Sequence, residues 1–128
     1  MTVPIDYDFA VVTVVPHVHL YGAAAVGVIL HARTAEFIDA EVLTDPDALR
    51  HRVGLEHCPR LARYLASWQR IARGEAEAGR LGLLPPSERF HWLTAPRSDM
   101  IQCSPVHAGR TDDPARTLRD LFQDYVRP

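Results

Sequence analysis

The stretch Ile5-Asp6-Tyr7-Asp8-Phe9-Ala10-Val11-Val12-Thr13-Val14-Val15 decides how the chain is read. Ile5, Tyr7, Phe9 and Val11 alternate with Asp6, Asp8 and Ala10, the period of a strand with one face in a core. Pro16 ends the run. Gly22 to His31 is almost wholly small and aliphatic, which predicts a second strand buried on both faces. The turn Ala32-Arg33-Thr34-Ala35 leads to a third strand, Glu36 to Leu43. Three strands so close in sequence predict an antiparallel meander.

Outward from the meander the period changes. Asp45-Pro46 predicts a helix start, with Asp45 as cap and Pro46 in the first turn, and the helix stops at Gly54. A longer helix is predicted from Pro59 to Ala78, closed by Gly79. Leu61, Tyr64, Leu65, Trp68, Ile71 and Ala72 define its apolar face, while Arg60, Arg63 and Arg70 lie on another. Leu83-Leu84-Pro85-Pro86 reads as a rigid connector. Phe90 to Thr94 and Met100 to Cys103 read as two short strands around the turn Ala95 to Asp99. A last helix begins at Asp113-Pro114 and turns Leu118, Leu121, Phe122, Tyr125 and Val126 to one side. The expected class is α+β, a mainly antiparallel sheet of about five strands with helices packed on one face.

The chain has 128 residues, which predicts a single domain, 1–128. At 47% apolar and 23% charged it has the make-up of a globular protein rather than a disordered or fibrous one. With a net charge of -2, general nucleic-acid binding is not expected. No apolar run is long enough for a bilayer, and the amino terminus lacks the pattern of a signal peptide, so no membrane association and a cytoplasmic location are expected. All 14 basic residues are Arg, as a GC-rich coding sequence favours. The lack of Lys excludes a Walker-type phosphate loop and a Schiff-base lysine. Gly22 to Gly27 mimics the loop spacing, but it lies in a strand, where its glycines fit close packing or a bulge. Cys58 and Cys103 form no CxxC pair and read as reduced thiols.

The densest polar cluster runs from Ser87 to Ser98 and resumes from Gln102 to Gly109. Paired as a hairpin, the two short strands bring Arg89 and His91 near Ser104 and His107, with Arg97 and Ser98 at the turn end. Guanidiniums, imidazoles and hydroxyls together suit a phosphate or carboxylate. A His there also suits general acid–base work. The competing reading is structural: Arg side chains tied to carboxylates and carbonyls, and a motif that fixes the hairpin. Arg89, His91, Arg97, Ser98, Ser104 and His107 are therefore the candidates for binding a ligand or partner, with no catalytic residue assigned. His17, His19 and His31 lack a Cys, Asp or Glu at metal-site spacing, so neither metal nor other cofactor is expected. Arg60, Arg63, Arg70 and Arg73 are diluted by Glu56, Glu75 and Glu77 and read as a solvated helix face.

The same residues carry a resemblance. Ser87-Glu88-Arg89-Phe90-His91-Trp92-Leu93, Ala95-Pro96-Arg97-Ser98, Ile101-Gln102, Ser104-Pro105-Val106-His107 and Gly109 resemble the signature of the domain of unknown function 3037 family. Tyr7 to Val12, Val15-Pro16, Val26 to Leu30 and Thr111-Asp112-Asp113-Pro114 extend it over nearly the whole chain. Family members usually have an acidic residue and an Asn before the second strand, where this chain has His19 to Ala25. The resemblance implies a small bacterial protein of no established activity, encoded beside a HipA-like kinase of the toxin–antitoxin type. Two functions follow as expectations. One is a binding or interaction protein, accessory to such a kinase. The other is a small enzyme or sensor acting on an anionic, phosphate-bearing ligand, with His91 or His107 as acid or base, Arg89 and Arg97 as clamp, and Ser98 or Ser104 assisting.

Overall fold

The computed structural model describes residues 3–14, 24–53, 58–96 and 101–127. Their order is β1 (Ile5–Val14), β2 (Ala24–Ala32), a 3-10 turn at Arg33–Ala35, β3 (Phe37–Val42), α1 (Pro46–Val53), α2 (Cys58–Arg73), a 3-10 segment at Ala76–Leu83, α3 (Pro86–Thr94), β4 (Ile101–Cys103), β5 (His107–Thr111) and α4 (Pro114–Tyr125). The architecture is α+β with a five-stranded antiparallel sheet, as expected. Strand order is β3-β2-β1-β4, with β5 also on β1. One side of β1 thus pairs with β2; the other pairs with β4 through Val12–Val14 and with β5 through Ile5–Phe9.

Alternation along the strands builds two apolar layers. Ala10, Val12, Ile29 and Ala40 pack with Leu49 of α1, Leu65 and Trp68 of α2, and Phe90 and Leu93 of α3. Phe9, Val11, Val28 and Leu30 turn to the other face, where Leu118 and Leu121 of α4 cover them. Most of the helical mass therefore sits on one face, and α4 is the exception. Each fully buried Leu or Ile contributes about 1.5–3 kcal/mol relative to an exposed one. β2 is buried on both faces from Val26 to Ala32, as its continuous apolar run requires. Val26 is an extra residue between the pairs Val12↔Gly27 and Thr13↔Ala25, a bulge of the expected kind. Gly27 lies beside it because β3 comes close: a Cβ there would stand 2.5 Å from Val42 Cγ1 and 2.8 Å from the Glu41 carbonyl oxygen. At this end Arg52 of α1 donates to the carbonyls of Ala25 and Tyr125, joining β2 to the end of α4.

Several helical expectations hold to the residue. Asp45 accepts the amide of Ala48, and Asp113 that of Arg116, so both cap their helices ahead of a Pro. α2 ends earlier than expected, at Arg73, and the chain leaves it through Gly74 at φ 67°; Gly79 lies in the following 3-10 segment. Tyr64, placed in the core by its spacing, is 45% exposed, while Trp68 is buried. Gln69 of α2 donates to the Ala40 carbonyl, and Arg73 pairs with Asp39, so α2 clamps the edge strand β3.

The main correction concerns Phe90 to Thr94, which is helix and not strand. Pro85 is extended and Pro86 occupies the first helical position, so the double proline starts a helix rather than serving only as connector. Phe90 and Leu93, three apart, are its buried residues. The real partner of β4 is β1, and the fifth strand comes from His107–Thr111. Among the described residues no hairpin forms between 90–94 and 101–103.

Candidate functional site

The helix separates residues that the hairpin would have gathered. Arg89 turns inward from α3. Its Nη1 donates to the Leu84 carbonyl at 2.7 Å, with the Gly82 carbonyl at 3.5 Å. The guanidinium lies against Gly74, where a Cβ would come within 3.0 Å of Nη1. Its Nε is buried without a partner. Burial pushes the Arg89 guanidinium below its ordinary range. Arg89 therefore ties the 3-10 segment after α2 to the start of α3, a structural occupation. His91 is exposed on the outer side of α3. Arg97 and Ser98 lie outside the described residues, as do His17 and His19.

Ser104 sits where β1 changes partner from β4 to β5. Its amide donates to the Val11 carbonyl at 2.8 Å, and its Oγ accepts the Val11 amide at 2.9 Å. The hydroxyl also donates to the Pro105 carbonyl. One serine thus satisfies both backbone groups of Val11 in the gap between the two strands. It lines an open depression of about 290 Å³ with Thr94, Pro96, Pro105 and Val106. His107 pairs with Phe9 across β1 and β5 and stacks on its ring, centroids 5.4 Å apart. Phe9 belongs to the face covered by α4, and Arg89 to a helix on the opposite face. The four described candidates are consequently spread over α3, the β4–β5 connection and both sides of the sheet.

The shared motif has local explanations as well. The Tyr7 ring covers Gly109, its cross-strand partner. Thr111 Oγ1 accepts the Asp113 amide and shares a hydrogen bond with Thr117, preparing the capped start of α4.

A second depression, about 360 Å³ and open to solvent, opens at the other end of α3, lined by His31, Arg33, Glu36, Pro86 and Ser87. His31 comes from β2, is 8% exposed, and rests on the Phe90 ring at 5.4 Å. Its nitrogens have no hydrogen-bond partner among the described residues. Burial holds its pKa below the ordinary imidazole range; the Asp8 carboxylate opposes this, and Arg33 and Arg89 add to it. Sequence reasoning weighed His31 only beside His17 and His19. The signal that finds it is positional: an imidazole in a continuous apolar strand, one residue from the turn holding Arg33.

Among the described residues no helix is long and apolar enough to cross a membrane, and no His, Cys, Asp and Glu cluster could hold a metal. No curated protein and no solved structure matches the chain. The model of a family described as a protein of unknown function (DUF3037) matches residues 9–126. With the match spanning almost its full length, the chain belongs to the DUF3037 family.

Proposed function

We propose that this chain is a small cytoplasmic binding protein and that its partner is a HipA-like kinase. The observation that carries the reading is the outer edge of β5. Among the described residues β5 pairs with β1 alone, so its second edge is open to another strand. Val106, 48% exposed, immediately precedes this edge. His107 on β5 packs its ring against Phe9 of β1 at 5.4 Å, with Tyr125 on Phe9 at 6.0 Å, so an aromatic side chain stands on the strand that carries the free edge. Rigid aromatic side chains next to unpaired backbone suit recognition of an extended peptide segment. The kinase enters only as the partner that the motif's resemblance to this family implies.

The alternative, catalysis on a phosphate-bearing substrate by the Arg/His cluster, draws less support. Arg89 is engaged with the Leu84 carbonyl, and His107 lies on the face away from α3. The test is recovery of the tagged chain from its native host. Wild type should bring down a HipA-like kinase, and Val106→Asp with His107→Ala should not. Absence of the kinase from the wild-type sample rejects the reading. Equal recovery by the double variant rejects the surface.

A further inference from the structure

The depression at the start of α3 carries an inference independent of the kinase reading. Three features converge on it. The first is the helix start: Pro85 gives no side-chain cap, and Pro86 has no N–H to offer. Arg89 is the first residue of α3 whose amide reaches back, to the Pro85 carbonyl. The amides of Ser87 and Glu88 have no partner among the described residues. Such amides, with the helix dipole behind them, favour an anion.

The second feature is His31, more than nine-tenths buried, without a hydrogen-bond partner among the described residues, and lining the depression. Among the described residues the buried side-chain nitrogen left without a partner is Arg89 Nε, so the His31 nitrogens are reached by solvent, and a ligand oxygen can take the place of water on them. The third is Arg33, exposed in the turn after β2 and lining the same wall. Its guanidinium suits two oxygens of one oxyanion. The opposing charges are Asp8, paired with His31 across β1 and β2, and Glu36 in the wall. A carboxylate there accepts hydroxyl donors and leaves the depression only moderately basic.

We propose that this depression binds a phosphate monoester of a small hydroxylated molecule. The phosphate sits on the Ser87 and Glu88 amides, Arg33 and His31 hold its oxygens, and Glu36 accepts a hydroxyl. Its volume of about 360 Å³ leaves room for more than a bare phosphate.

The probe is glycerol 3-phosphate, titrated into the full chain and followed by NMR at the Ser87 and Glu88 amides and the His31 ring, with chloride at equal ionic strength as reference. Saturable shifts at all three are expected. Arg33→Ala should weaken binding roughly tenfold, the loss of one charge-assisted contact. Ser87→Glu places a carboxylate at the helix start, which favours the helix yet repels the ligand; it should abolish the shifts with no loss of thermal stability. Shifts no larger than those from chloride overturn the proposal. So does an affinity unchanged in Arg33→Ala, whose exposed side chain leaves the fold intact.

Discussion

Tyr7 lies across Gly109, and its phenol fills the space that a side chain on β5 would need. A Cβ at position 109 would stand 2.5 Å from the Tyr7 Cζ and Oη atoms. The ring is the movable partner, so Gly109→Ala should displace it and cost about 1 kcal/mol, the low end of overpacking. In a Tyr7→Ala background the cost should vanish. Urea unfolding of the four proteins checks this; equal costs in both backgrounds would show that the ring and the glycine are not coupled.

Gly27 faces a harder neighbour. There the added Cβ meets the Glu41 backbone carbonyl at 2.8 Å as well as Val42. The strands must separate, so Gly27→Ala should cost more than Gly109→Ala, about 2–3 kcal/mol. Calorimetry on the two single variants gives the order directly.

Arg89→Ala should destabilise by about 1–3 kcal/mol, because the half-buried Leu84 carbonyl loses its donor and the packing over Gly74 is lost. Arg89→Lys should recover only part, since an ammonium lacks the planar surface that lies on Gly74. A denaturation midpoint unchanged in Arg89→Ala would remove the structural role assigned to this residue.

His31 sets a pH dependence. Its folded pKa lies below the ordinary value of 6.5, with burial as the main cause. The unfolded chain then binds a proton at His31 more readily than the folded chain. The stability that neutral His31 contributes is complete above the unfolded pKa and is lost as pH falls through the lower folded one. Between about pH 7.5 and 5, wild type should lose more stability than His31→Gln. Parallel curves for the two proteins would refute the assignment.

Asp113→Ala should cost about 0.5–2 kcal/mol, and Asp113→Asn should restore most of it, because either side chain can accept the Arg116 amide. α4 supplies Leu118 and Leu121 to the second apolar layer, so the loss should appear in the global thermal transition. A separate, earlier loss of helix signal would instead mean that α4 melts alone.

Much of this architecture is legible in the residues. The meander follows from two-residue alternation in β1 and a continuous apolar run in β2. The helix starts at Pro46 and Pro114 follow from Asp-Pro pairs whose carboxylates accept the first free amides. These are short-range rules, complete within a few residues. The strand reading of 90–94 failed because Phe90 and Trp92 mimic alternation over too short a span. The helix buries Phe90 with Leu93 instead, and contact with β2 and α2 selects that pairing. β5 has no apolar pattern at all in His107-Ala108-Gly109-Arg110-Thr111; it is a strand because β1 offers it a ladder.

The site shows the same division. Sequence by itself determined the residue types, the caps, the apolar faces and membership of one motif, since these depend on neighbours along the chain. Tertiary structure alone decided which polar groups meet. It turned Arg89 inward to a carbonyl and gave Ser104 to the backbone of Val11. It also brought His31 and Arg33 to the start of a helix more than fifty residues away. Such meetings depend on how sheet and helices pack, and no local period records them.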